Sequence, residues 1–515
     1  MTFALLAVFA IPTLSIPFVY FTGKKSPKAA AIFIALIALV NIALLLTTVP
    51  TILNSSSHQY IEPYTWIPVI TTSFTLFADG ISVSIAIVSL ILILVAAVFS
   101  ISYMAGKKNL AAFYALLCML TVGSVGVFLT SNLILFYFCW ELMLVPAFFI
   151  IGEWGYKDSY KQALKFFIYT HAGAVFVLLG IGAIYFTTGT TDMFNAQAAL
   201  IGHVGIAQWI IIALTAGFAV KTAVIPVHMW LPDAHGEAPA PMSALLSGVI
   251  ISAGAYAILR LSLGMVFPAV GITFGTDFLH ALAIIGVLSA FFGSFIALVA
   301  TDIKRLIAYS SITHMGYIMF GLSLFPASVA AGTVVIVLAT SLAITGTVLH
   351  IVSHALSKGL LFLGAGGIMH QTEKRDITKM GGLASKMPFT AVSSTIAALS
   401  IGGAPPFACF ISEFLIFVGA FQIIHVDSFY IIPTALMLIA TVLSLGYMLR
   451  FTSKVFLGPP KYDEGEESEE GQEEKKSFEV SNYMKLSFAI LVVLIILVGI
   501  YPTFFINLIQ TVRIG

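Results

Sequence analysis

Lys221 stands inside an apolar segment, five residues before Pro226, in GFAVKTAVIPVHMWLPDAHGEAPAPMSALLSG. A lysine near the middle of a membrane helix costs roughly 2.5–3.5 kcal/mol on insertion scales. A proline there removes a backbone hydrogen bond and kinks or breaks the helix. A stretch that carries both costs reads as a functional site, and lysine suits proton exchange because its pKa shifts readily on burial. Two acids lie clearly within apolar runs. Glu141, in FCWELMLVPAFF, reads as a partner for Lys221, with a protonated carboxyl held by a neighbouring hydroxyl as the structural alternative. A pair whose separation changes would switch a proton on and off the lysine. Glu413, in PPFACFISEFLIF, follows a break at Pro405 and Pro406. It reads as a terminal relay group facing one side of the membrane, or as a carboxyl that only packs the broken helix.

His350, His354 and Lys358 recur at i, i+4, i+8 in LHIVSHALSKGLLFL, which puts them on one helix face. Histidine exchanges protons near neutral pH, so the row reads as a proton relay. Satisfied interior histidines are the alternative, and no metal is expected, because no Glu follows the first His as a zincin pattern requires. His228, Asp233, His235 and Glu237 sit where the Lys221 helix meets an inside loop; they read as solvated loop residues or as a funnel admitting protons. His171, in YTHAGAV, suits a relay or a structural role equally, and His314, in SSITHMGY, is read as structural. No phosphate loop, CxxC cluster, Rossmann fingerprint or nucleophile elbow occurs. The chain therefore carries no visible redox chemistry of its own.

The elements that must position these groups are membrane helices. Apolar residues make up 59% of the 515 positions and charged residues 9%, against about 25% charged in a soluble domain. The net charge of +1 gives no reason to expect a nucleic-acid partner. Cys118, Cys139 and Cys409 all fall in apolar runs without metal-type spacing. About 20 apolar residues cross a bilayer, and candidate spans lie near 2–21, 29–50, 80–104, 110–130, 132–152, 163–187, 207–228, 241–262, 278–300, 304–322, 328–370, 390–420, 430–450 and 484–506. The first lacks a basic n-region and a cleavage site, and is read as a retained span. Fourteen spans with the N-terminus outside put twenty of the 24 Lys and Arg in inside loops, as the positive-inside rule requires. Arg260 and Arg513 then fall on the outside, both termini are outside, and the 43-residue run at 328–370 is one crossing plus extra helix or re-entrant backbone. The inside loop KYDEGEESEEGQEEKK at 461–476 reads as solvated and disordered, with a docking strip for a basic partner as the sharper alternative. Two blocks of five spans, each with a break in its fourth, suggest inverted repeats of the kind that put ion sites at broken helices.

The motifs FCWELMLVPAFFIIGEWGY, ALKFFIYTHAG, GFAVKTAVIPVHMWLPDAHGEAPAPMSALLSG, DIKRLIAYSSITHMGYI, HALSKGLLFLGAG, MGGLASKMP and APPFACFISEF, in this order over about residues 75–455, resemble the antiporter-like subunits of respiratory complex I, membrane-bound hydrogenases and Mrp-type sodium/proton antiporters. The resemblance implies an all-α polytopic membrane protein of about fourteen helices, with two inverted five-helix repeats and two broken helices. The organisation it implies is an N-terminal three-helix region (1–105), a first repeat (106–262) with Glu141 and Lys221, a second (263–455) with His350, Lys358 and Glu413, an acidic loop (456–483) and a final helix (484–515). It also implies ion translocation by Glu141, Lys221, His350, His354, Lys358 and Glu413, of protons or, as the alternative, sodium against protons. Iron–sulfur clusters, with nickel–iron or flavin groups, would sit on peripheral redox partners and none on this chain; other antiporter-like subunits would be neighbours in a prokaryotic cell membrane. Glu413, and the absence of a long lateral helix after the last span, favour the middle complex I subunit type or its hydrogenase-linked counterpart. Two departures stand out. In the pattern K-x-G-x-Y-x-x-x-R the matching residues are Ser252, Gly254, Tyr256 and Arg260, so a lysine is replaced by serine, which holds a water but stores no charge. The run at 328–349 is also longer than the resemblance implies.

Overall fold

The apolar runs fold as helices because a backbone inside a bilayer has no water to bond and must satisfy itself. The computed structural model describes residues 3–67, 72–326, 334–459 and 478–512. Helices α1 (Ala4–Lys25) and α2 (Pro27–Leu46) meet at Ser26, whose hydroxyl accepts the Ala29 amide. A short α3 (Val49–Asn54) leads into an antiparallel hairpin of β1 (Tyr60–Ile67) and β2 (Thr72–Ala78) within the expected outside loop. The hairpin has a capping task. Glu62 accepts the Leu5 and Leu6 amides at 3.0 and 2.9 Å, satisfying donors that the start of α1 leaves free.

There follow α4 (Gly80–Tyr103), α5 (Leu110–Phe128), α6 (Leu133–Trp154), α7 (Ser159–Thr188), α8 (Met193–Leu200), α9 (Val204–Thr222) and α10 (Leu231–Glu237). A long irregular helix over 240–269 alternates α-helical turns, α11 (Ala240–Leu245) and α12 (Ile251–Ala257), with π-helical turns at Leu246–Ile250 and Ile258–Val266. The rest is α13 (Ile272–Val299), α14 (Ile303–Ser323), α15 (Val334–Thr372), α16 (Pro388–Ile401), α17 (Ala408–Ile424), α18 (Ile431–Phe456), α19 (Asn482–Ile500) and α20 (Thr503–Gln510). Among the described residues twelve helical stretches are long and apolar enough to cross a membrane. The spans expected at 304–322 and 390–420 correspond to α14 and to the pair α16 and α17. The chain is a multi-pass, predominantly helical membrane protein with, among the described residues, one small hairpin.

Burial sorts the helices. The stretches 240–269 and 341–372, with α4, are the most enclosed, whereas α1, α7, α18 and α19 bury fewer than half of their residues. The long run near 328–370 is a single helix over its described part, 39 residues in α15. That is roughly 58 Å at 1.5 Å per residue, so the extra length is helix and not re-entrant backbone; residues 327–333 lie outside the described residues. The acidic loop at 461–476 also lies outside them. Arg260 lies in the second π-helical stretch, its side chain 10% exposed and paired with Asp79 at 2.7 Å. Asp79 also caps α4 through the Ile81 and Ser82 amides, so one carboxylate joins two enclosed elements.

Candidate functional site

Both expected helix breaks are present. Helix α9 ends at Thr222, Ala223 turns left-handed at φ 58°, and α10 resumes at Leu231 beyond Pro226. The loosened backbone is tied down: the Ile225 amide donates to the Ser289 hydroxyl at 3.0 Å and the Trp230 indole to the Val220 carbonyl at 2.9 Å. Helix α9 reaches α7 through facing glycines. A β-carbon on Gly217 would lie 2.5 Å from the Gly173 carbonyl oxygen, a close approach only small residues permit. The second break separates α16 from α17. It runs through Gly403 (φ 68°), Pro405 and Pro406, where the Glu413 carboxylate lies so near that a β-carbon on Gly403 would be 2.6 Å from its Oε2.

Lys221 is 2% exposed. Its Nζ donates to the Trp140 carbonyl at 2.9 Å and sits 3.7 Å from the centroid of the Trp140 ring. A carbonyl lone pair and a π face both favour a cation. The Trp140 ring is in turn packed against Phe218 of the lysine's own helix, at 5.2 Å. Glu141, expected as a charge partner of Lys221, is not hydrogen-bonded to it here. The Glu141 Oε2 instead meets His171 Nδ1 at 3.1 Å, and Oε1 has no partner. The reason is direction: Lys221 approaches the α6 backbone at Trp140, while the next side chain, Glu141, turns toward α7. His171 is half exposed and stacked on Phe167 at 5.5 Å.

The second cluster centres on α15, where His350, His354 and Lys358 are all fully buried. His350 Nε2 lies 3.1 Å from His314 Nδ1, and its Nδ1 lies 2.9 Å from the Ser412 hydroxyl. His314, read from sequence as structural, is therefore at the centre of the group; it comes from α14, so no spacing within one helix announces it. Its Nδ1 is 4.0 Å from Glu413 Oε1, and its Nε2 is 3.4 Å from the Ser444 hydroxyl. Both ring nitrogens of His354 are without partners, with the ring 5.7 Å from that of His314. Lys358 donates to the Ile307 carbonyl at 3.0 Å and to the Ser310 hydroxyl. Ser252 is buried in α12 and its hydroxyl has no partner.

At one end of the helices the four residues read as a funnel separate. Asp233 pairs with Lys165 at 2.8 Å and with Arg305 at 3.1 Å, and Glu237 pairs with Arg375 at 3.3 Å. Arg375 also holds Asp302 at 2.8 Å. Burial would lower the Arg375 guanidinium, but the carboxylates of Asp302 and Glu237 outweigh it and hold the group above its ordinary value. His235 is enclosed and stacked on Phe362 at 4.3 Å, and His228 is half buried with Nδ1 unpartnered. Lys304, at the start of α14, donates to the Ala238 carbonyl. A further pair that the sequence did not suggest, His280 with Asp427 at 2.7 Å, joins the start of α13 to the turn before α18.

The family described as NADH:quinone oxidoreductase/Mrp antiporter, TM, matches residues 130–444, which hold every group in both clusters. NADH-quinone oxidoreductase subunit M of Rickettsia prowazekii is 33% identical over 511 residues, spanning 96% of this chain and 95% of that protein. A chain of the membrane-bound sulfane sulfur reductase, an archaeal respiratory membrane complex, is similar with a TM-score of 0.80 and 26% identity, covering 96% of this chain and 76% of that one. A chain of the Mrp complex of a Dietzia species gives a TM-score of 0.82 over 99% of this chain and 96% of its own, at 20% identity, a likeness of fold. The two broken helices, the buried row of ionisable side chains and these matches agree: the chain belongs to the NADH:quinone oxidoreductase/Mrp antiporter family.

Proposed function

We propose that this chain is an ion-translocating, antiporter-like membrane subunit of a complex I-like or hydrogenase-like oxidoreductase, moving protons with energy released on its partners. The observation that carries the reading is the pair of buried titratable clusters beside two broken helices, one around Lys221 and one around His314, His350, His354, Lys358 and Glu413. Charged groups this deep are costly and mark ion pathways. On this reading Glu141 gates Lys221, with His171 and Lys221 as rivals for the carboxylate. His350, His354, Lys358 and His314 relay, and Glu413 exchanges with one bulk phase. Ser252 holds a water that bridges the two halves, a role its unpartnered buried hydroxyl suits. Asp233, Glu237 and the half-buried His228 stand at the inside access, while His235 is enclosed behind them.

The reading includes fourteen crossings, counting α14 and the pair α16 and α17, arranged as two inverted repeats with both termini outside a prokaryotic cell membrane. Iron–sulfur, nickel–iron or flavin groups belong on peripheral partners. That the related structures are complexes supports neighbouring membrane subunits here too. The alternative of sodium/proton exchange without redox partners draws on the Mrp half of the family, and a non-pumping structural subunit would draw on Ser252.

Lys221→Ala in the native complex tests the proposal. Electron transfer and assembly are expected to persist while ion pumping into sealed vesicles collapses; unchanged pumping by a fully assembled variant would overturn it. Mass spectrometry of the complex purified in mild detergent separates redox-linked from Mrp-like assembly by the partners it finds.

A further inference from the structure

We propose that His314, His350 and Glu413 form a binding site for a divalent transition-metal ion of the zinc class. One imidazole nitrogen from each histidine and one oxygen of the carboxylate all lie within 4.8 Å of one another, on three different helices. His314 Nδ1 is 3.1 Å from His350 Nε2 and 4.0 Å from Glu413 Oε1. Ligands that share a tetrahedral zinc at about 2.0–2.1 Å sit roughly 3.4 Å from each other, so the three donors close on one ion by small side-chain movements. Two imidazoles and a carboxylate suit zinc, cobalt, nickel or copper, whereas magnesium and calcium prefer oxygen alone.

Three further observations favour a ligand. Glu413 is 5% exposed and its Oε1, the oxygen facing His314, accepts no hydrogen bond. The outer nitrogens of both rings are also held by hydroxyls: Ser412 meets His350 Nδ1 at 2.9 Å and Ser444 meets His314 Nε2 at 3.4 Å. Such outer contacts fix ring orientation and tautomer so that the inner nitrogen presents a lone pair to an ion. Tyr317 packs edge-on against His314 with its buried hydroxyl unpartnered, leaving a polar group beside the three donors.

Binding requires only this geometry. Its consequence for transport rests on the reading above: a bound ion keeps all three donors deprotonated and so removes them from the relay.

The test uses the whole complex, stripped of metal and equilibrated with Zn2+ alone, then read by X-ray absorption and by bound metal per complex; Co2+ gives a visible tetrahedral spectrum as a second probe. The expected result is one ion with two imidazole nitrogens and a carboxylate oxygen in its shell. It is lost in Glu413→Gln and His350→Ala, weakened roughly 10–100-fold in Ser412→Ala, and retained in His203→Ala, which removes an exposed histidine elsewhere. Wild-type complex that retains no Zn2+, or zinc whose stoichiometry and shell are unmoved by Glu413→Gln and Ser412→Ala in assembled preparations, overturns the site. Proton movement is not the readout, so failure here is separate from failure of the translocation proposal.

Discussion

Trp140 does two things for Lys221 at once: its carbonyl accepts the ammonium proton and its ring lies 3.7 Å beneath the charge. Cation–π attraction is worth about 2 kcal/mol when desolvated, and each 1.36 kcal/mol of barrier is about tenfold in rate. Trp140→Leu is therefore expected to slow translocation by roughly thirtyfold while Trp140→Phe retains most of it, since the carbonyl survives both changes. Vesicle pumping assays on assembled complexes check this, and equal losses in both variants would mean the ring is only packing. Lys221, Glu413 and the His350–His354–Lys358 row were legible because each announces itself within one helix, by charge in an apolar run or by spacing. His314 was not, because its neighbours His350 and Glu413 reach it from other helices. That Lys221 rests on Trp140 while Glu141 bonds His171 was not legible for a related reason: sequence says that residues 140 and 141 are adjacent, but not which of them a helix turns toward its neighbour.

Helix boundaries follow from apolar length and proline, so the spans and both breaks could be read in advance. The β-hairpin could not be read with the same ease, since its Glu62 has meaning only beside the free amides of α1. The π-helical turns flanking α12 carry no proline or charge run to mark them. The glycine contact between α7 and α9 makes a firm prediction at this scale. Gly217→Val pushes a branched side chain against the Gly173 carbonyl, and overpacking of this kind costs about 1–3 kcal/mol. The expected outcome is a lower thermal midpoint in detergent together with impaired pumping, because α9 cannot move from α7 without moving Lys221. A variant that melts like wild type would show that the two helices separate freely.

Across the whole molecule, the pairs among Lys165, Asp233, Arg305, Asp302, Glu237 and Arg375 join helices from the first and second halves at one face. Arg375 bridges two carboxylates and also donates to the Gly236 carbonyl at 2.8 Å. Arg375→Ala leaves both acids half paired, and hydrogen bonds to charged groups are worth about 1.5–3 kcal/mol. The variant is expected to melt earlier, with the deficit shrinking at high salt as the partly exposed pairs are screened; a deficit independent of salt would assign the loss to packing. Three buried lysines share a further trait. Lys221, Lys304 and Lys358 each rest on a main-chain carbonyl, of Trp140, Ala238 and Ile307. A peptide group is supplied by every amino acid, so a saturation scan would leave these carbonyl contacts untouched and show only the side-chain partners, the Trp140 ring for Lys221 and the Ser310 hydroxyl for Lys358. Suppressors of damage to the carbonyl contacts should then map to small residues that set how closely two helices pass.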